Sequence, residues 1–325
     1  MGKKLQPAAM DGALVINKPQ GLTSHDVVAN ARRLLGFRQI GHLGTLDPLA
    51  TGVLVLLLGR ATRLAQFYGG RRKRYTCTAR FGFATDTYDA EGEPLAPDSA
   101  PSITREQLEP LVAQFTGRIE QMPPPFSAKK IGGRPAHELA RKKKPVDLKA
   151  VAVEVYEFRL TEVQGSLARF TVECGAGTYI RSLVHDLGQR HGAGAHLAEI
   201  VRTAVGEFTL DQAADLDELE EAARAGRLSE YVLPLERLLP EIPSATVLPA
   251  VEHRVRHGAK FTVTLAQIRP GQSVAAQGAT AELDSGDARP LPRLRVFSQE
   301  GKLLAIAQAT VPRTYQPVVV LDAAP

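Results

Sequence analysis

A chain of 325 residues with 44% hydrophobic and 23% charged side chains suits a globular protein of about two domains and excludes a disordered one. Two cysteines, Cys77 and Cys174, exclude a disulfide framework and a cysteine-rich zinc site, and no apolar run has the length of a bilayer span. The net charge of +5 is unevenly spread: residues 205–241 carry ten acidic and three basic side chains, a net of −7, which leaves +12 elsewhere.

Residues 1–12 hold no signal-peptide apolar core and are expected to form a flexible tail, in a cytoplasmic protein. Residues 13–19 predict a strand ending at Pro19. Thr23 and Asp26 form a capping box, and Val27, Val28, Ala31, Leu34 and Leu35 follow helical spacing up to Gly36. Residues 41–52, Gly-His-Leu-Gly-Thr-Leu-Asp-Pro-Leu-Ala-Thr-Gly, predict a loop built around Asp47, which Pro48 biases towards extended geometry. A buried strand is expected over 53–58 and a helix over 61–68. Tyr75, Cys77, Ala79, Phe81 and Phe83 then alternate with polar residues, the pattern of a half-buried strand.

A second capped helix is expected over 104–115, with Thr104 and Gln107 as its box. The proline-rich and Gly-Gly stretch that follows predicts an exposed arm over about 123–144, with a short basic helix inside it. Strands are expected over 151–160 and 167–174. A helix should then run to about His191, capped by Thr178. Residues 205–241 predict an acidic helical end, residues 242–249 a linker, and residues 250–325 a small barrel of short strands. The interleaving of strands and helices argues an α+β fold with a mixed, largely antiparallel central sheet and flanking helices.

Polar candidates next to apolar elements are Asp47, His42, Tyr75, Tyr179 and Arg181. Phosphate-loop, dinucleotide and zinc-protease motifs are absent from the sequence, so a site without cofactor or metal is expected. Asp47 has two readings: a turn aspartate bonded to its own backbone, or a catalytic carboxylate with Arg181 as ion-pair partner. Basic clusters at 71–74, at Lys129 and Lys130 with Arg134, and at 141–144 favour a nucleic acid partner, although each alone is an ordinary solvated face. Aromatic rings beside basic surface suit a nucleotide removed from its stack.

The 41–52 motif closely resembles the catalytic motif of the TruB family of tRNA pseudouridine synthases. The stretch Asn17-Lys-Pro-Gln-Gly-Leu-Thr-Ser, Lys73-Arg-Tyr75, Pro123-Pro-Pro-Phe-Ser-Ala-Lys-Lys and Gly177-Thr-Tyr179-Ile-Arg181 match in type and order. The resemblance spans most of residues 12–205. It implies a catalytic domain over 13–241 that isomerises the uridine at position 55 in the T loop of tRNA, and a C-terminal PUA-like RNA-binding domain over 250–325. It implies Asp47 as the essential carboxylate, attacking sugar or base or removing a sugar proton. Arg181 would be its ionic partner, Tyr75 would stack on the flipped base, and Tyr179 would line the pocket. His42 would contact the RNA, Lys18 would support the loop, and Ile200 stands where the family usually has leucine. The arm, with Lys129, Lys130 and Arg141, would grip the T stem-loop. No protein partner is implied, and a monomer is expected. A guide-RNA-dependent synthase of the dyskerin type and a non-catalytic tRNA-binding or folding protein are the competing readings.

Overall fold

The apolar run after the Asp47 loop loses the two-residue alternation of an ordinary sheet strand, and the computed structural model shows why. It describes residues 10–125, 130–131 and 134–135 (backbone only), 149–272 and 292–323. In chain order the first twelve strands are β1 (Gly12–Lys18), β2 (Ile40–His42), β3 (Thr51–Leu58), β4 (Lys73–Phe81), β5 (Gly117–Gln121), β6 (Lys130–Ile131), β7 (Arg134–Pro135), β8 (Val151–Gln164), β9 (Leu167–Cys174), β10 (Ala195–Val205), β11 (Phe208–Thr209) and β12 (Val232–Pro234). Apart from the small β6–β7 ladder they form one sheet in the order β12-β1-β3-β10-β4-β9-β8-β5, with β2 on β3 and β11 on β10. Its ladders are antiparallel except β3–β10, which is parallel. This is the expected mixed, largely antiparallel sheet.

Strand β3 is covered on both faces, so both sets of its side chains are apolar. Leu54, Leu56 and Leu58 pack in a core with helices α1 (Ser24–Leu35), α2 (Arg105–Val112), α3 (Ile180–His191) and α4 (Leu216–Arg224). Val53, Val55 and Leu57 pack on the other side, with Leu64, Phe67 and Tyr68 and with Leu303, Ile306 and Val319 of a second sheet. All six β3 side chains are at most 1% exposed. Helix α1 starts where the capping box places it: Thr23 Oγ1 accepts from Asp26 N, and Asp26 Oδ2 accepts from Thr23 N. Gly36 ends it in the left-handed region.

The second sheet holds β13 (Ser244–Thr246), β14 (Phe261–Thr262), β15 (Ile268–Arg269), β16 (Arg293–Phe297), β17 (Leu303–Val311) and β18 (Thr314–Val320), in the order β14-β18-β17-β16-β13-β15, with helix α5 (Pro249–Arg256) against it. Val247, Val255, Phe261, Leu294, Val296 and Leu304 give it a separate core. Buried Arg295 donates to the carbonyls of Ile242, Leu238, Glu236 and Pro240, fixing the connection between the sheets.

Several expectations shift. Residues 242–249 contain β13, because Pro243 still offers a carbonyl, which accepts from Arg295 N, and the residues after it complete the ladder. The 61–68 helix is a 3-10 turn series, Gly59–Phe67. The acidic stretch holds one α-helix, α4, among shorter turns. Thr178 does not cap α3: the N-cap is Tyr179, whose N–H is taken by Gln121. The tail (apart from residues 10–12) and most of the arm lie outside the described residues.

Gly52 is required where β3 meets β10. Its φ is +93°, and a Cβ there would strike the Arg202 carbonyl oxygen on the neighbouring strand. Gly52→Ala is expected to cost about 3 kcal/mol or more; urea unfolding of both proteins measures it.

Candidate active site

Asp47 lies on the connection from β2 to β3, and the apolar residues around it serve as anchors. Leu43, Leu46, Leu49 and Ala50 are buried, whereas the Asp47 side chain is 49% exposed. The first turn of α1 brackets Leu46: Ser24 Oγ accepts from Leu46 N at 2.8 Å and donates to Leu46 O at 3.1 Å.

Two buried cations hold the loop from either side. Lys18 ends β1, and Arg202 is on β10; in the sheet register both are opposite Gly52. Lys18, 0% exposed, donates from Nζ to Leu22 O at 2.7 Å, Pro19 O at 2.9 Å and Pro48 O at 3.4 Å. Arg202, 1% exposed, donates from Nε to Val53 O at 2.8 Å, from Nη2 to Gly44 O at 3.0 Å and from Nη1 to Thr45 O at 3.3 Å.

The carboxylate itself meets Arg181 of α3. Arg181 Nη2 is 2.8 Å from Asp47 Oδ2, and Nη1 is 3.3 Å from Asp89 Oδ2 and 3.0 Å from Thr87 O. Asp89 is buried, and its Oδ1 accepts from Thr87 Oγ1 and Glu91 N. The guanidinium therefore links a buried carboxylate to the exposed one. Among the described residues, no bond joins the Asp47 carboxylate to its own backbone, as the turn reading required. The loop carrying Asp89 is itself held: Tyr88, at φ +68°, stacks on His185 of α3 with centroids 3.7 Å apart.

The aromatic candidates face the same side. Tyr75 is opposite Arg202, and Ile200 is opposite Cys77, in the β4–β10 ladder. Tyr75 is buried; its hydroxyl is pushed up to about 12 by burial, against which the charge of Arg202 works. Tyr179 is half-buried and fixed by Gln121, whose Oε1 accepts from Tyr179 N at 2.8 Å while Nε2 donates to Tyr179 O at 3.0 Å. His42 is half-buried, with its ring edge-on to His25 at 5.8 Å. Burial lowers its pKa, and the neighbouring charges of His25 and Arg202 add to this.

Asp47, Arg181, Lys18, Tyr75 and Ile200 thus share one face of the sheet with its flanking loops, with Tyr179 at the start of α3. Lys129, Arg141 and the Lys130 side chain lie outside the described residues. Sequence reasoning passed over Asp89, Ser24, Gln121 and Arg202. Only Arg202 left a readable trace: with Ile200 facing inward, strand alternation turns residue 202 inward too, where a basic side chain is unusual.

The 71–74 cluster is tied into the fold by ion pairs. Arg71 pairs with Glu241, and Arg72 and Arg74 each reach a Glu173 oxygen at 2.9 Å. The Arg72 guanidinium also lies 3.5 Å above the Tyr156 ring. Arg72 and Arg74 share one carboxylate, so Glu173 and Glu241 offset part of the cluster's charge and leave it net basic.

Lys18 offers a test by pH. Burial pulls its pKa down to about 8, while Asp47 works the other way. Below that pH the ammonium has three N–H groups for three carbonyls; above it, one donor is lost. Activity is expected to fall as pH rises through about 8, with Lys18→Arg moving that limb to higher pH. Rate–pH profiles of the two proteins decide this.

The model of the TruB family pseudouridylate synthase N-terminal domain matches residues 32–180, and that of the tRNA pseudouridylate synthase B C-terminal domain matches residues 181–240. The chain is 43% identical over 312 residues to tRNA pseudouridine synthase B of Solibacter usitatus, covering 96% of this chain and 100% of that protein. It is 40% identical over 256 residues to the Aquifex aeolicus protein of the same name, covering 78% and 88%. Among solved structures, an archaeal box H/ACA Nop10–Cbf5 complex aligns with a TM-score of 0.68 at 22% identity, over 99% of this chain and 89% of that one, a likeness of fold. A Cbf5–Nop10–Gar1 complex aligns with a TM-score of 0.67 at 26% identity, over 92% and 78%. By its sequence relatives as well as its fold, this chain belongs to the TruB family of pseudouridylate synthases.

Proposed function

We propose that the chain converts uridine to pseudouridine in the T loop of tRNA, at position 55. The observation that carries this is the half-exposed Asp47 carboxylate, ion-paired at 2.8 Å to a buried arginine on a loop pinned by buried cations. The reaction breaks the bond from N1 to C1′, turns the base, and joins C5 to C1′. The C5 proton leaves and N1 takes one up, so no group donor or redox change enters. A stacked base has no room to turn, which calls for flipping into a pocket. Asp47 is the essential group of that pocket, Tyr75 stacks on the base, and Tyr179 and Ile200 line the wall. His42 contacts the RNA beside the vacated position. The second sheet, with its own core, supports the reading of a PUA-like RNA-binding domain, and the enzyme is taken to be monomeric and cytoplasmic.

The test is pseudouridine formation in an unmodified tRNA transcript and in an isolated T stem-loop. Product from both, without guide RNA or added protein, is expected. Product only with a guide RNA would favour the guide-RNA-dependent, dyskerin-type alternative. Binding that neutralises phosphates releases counterions, so affinity for the stem-loop is expected to fall at least about tenfold between ~50 and ~200 mM salt. Filter binding across that range measures it.

A further inference from the structure

Arg202 is buried, charged, and in no ion pair among the described residues; its compensation comes from main-chain carbonyls. A buried charge is tolerated only when its N–H groups are well bonded. Here the three acceptors that the guanidinium meets among the described residues are all carbonyls flanking Asp47: Gly44 and Thr45 before it, Val53 after it. We propose that Arg202 is a positioning residue of this site, fixing the main chain on both sides of Asp47 so that its carboxylate meets Arg181 and the substrate in one geometry. The inference rests on the reading of the site given above and adds to it a residue that touches no substrate.

Three features make the assignment specific. The parallel β3–β10 ladder sets Arg202 opposite Gly52, and only a residue without Cβ lets β10 come that close. Lys18, opposite the same glycine on the other neighbouring strand, holds Pro48 O, so the loop is gripped at carbonyls 44, 45, 48 and 53 by two strands. Tyr75 lies opposite Arg202 on β4, so the residue that holds the loop is also the cross-strand neighbour of the tyrosine assigned to the pocket. A planar guanidinium spans several carbonyls at once, whereas a lysine ammonium is a point charge with shorter reach.

The test compares Arg202→Lys and Arg202→Met with the parent and with Arg295→Met. Arg295 is a second buried arginine bonded to carbonyls, placed on the second sheet, and serves as the structural control. Single-turnover and steady-state pseudouridine formation, stem-loop affinity, thermal unfolding and amide hydrogen exchange are read for each. Arg202→Lys is expected to keep the fold and to bind RNA within about threefold of the parent. Its kcat is expected to fall about 10²-fold, the cost of a catalytic group displaced by about an ångström. Exchange should accelerate at residues 43–53 while β4 and β9 stay protected. Arg295→Met should lower the unfolding temperature and leave kcat within about threefold.

A parent-like kcat with parent-like protection of 43–53 in Arg202→Lys overturns the proposal. So does failure of both Arg202 variants to fold, which would make Arg202 a requirement of the core alone, and so does an equal loss of RNA affinity and rate. An inactive parent whose Arg202→Lys variant still loosens 43–53 would instead overturn the assigned reaction and leave the positioning role standing.

Discussion

Asp47→Asn is expected to lower pseudouridine formation by about 10⁴-fold or more while tRNA affinity stays within about threefold. The substitution keeps the side chain's size and one acceptor, and the loop is held through main-chain carbonyls and Ser24 rather than through this carboxylate. The fold therefore has little stake in the charge at residue 47. What is lost is the anionic oxygen, which as nucleophile or proton acceptor acts only in the transition state; loss of such an interaction appears in kcat rather than in binding. Counting pseudouridine in a single-turnover reaction, beside a binding isotherm, separates the two. A variant within about tenfold of the parent rate would remove Asp47 from the chemistry.

Arg181→Met should harm both activity and stability, and for different partners. On the activity side, Asp47 loses the group that orients it at 2.8 Å, and a fall in kcat of about 10³-fold is expected. On the stability side the decisive partner is Asp89, whose side chain is 6% exposed against 49% for Asp47. Removing the arginine leaves that buried carboxylate without its cation, which costs about 3–5 kcal/mol. A double variant, Arg181→Met with Asp89→Leu, should recover much of the stability and none of the activity. Chemical denaturation and the product assay on the same preparations check both halves. Recovery of activity in the double variant would show that Arg181 serves the fold alone.

Much of the frame was legible because its signals are local. The capping boxes at Thr23 and Thr104 span only four residues each, and both formed. The run 53–58 read as a buried strand because it is short and apolar. That it is covered on both faces depends on the second sheet, which no local pattern announces. The pairing of Asp47 with Arg181 was suggested by two polar residues at structured turns. Asp89 was missed because Asp86-Thr-Tyr-Asp89 reads as ordinary turn chemistry until Arg181 is placed beside it. Thr178 is a good cap residue by type, but Gln121 arrives from another strand end and takes the Tyr179 N–H instead. The ion pairs of the 71–74 cluster were missed because its counter-charges, Glu173 and Glu241, are far away in the chain. In each case the missing information is a contact between distant segments.

The grip of Arg202 on the Asp47 loop spans 149 to 158 residues of sequence. During synthesis, Asp47 therefore leaves the ribosome long before the strand that fixes it exists, and β3 waits with its Thr51–Gly52 end lacking the β10 partner. Contacts of such separation close late in folding. The motif most diagnostic of this protein is thus among the first parts made and, as a working site, among the last completed.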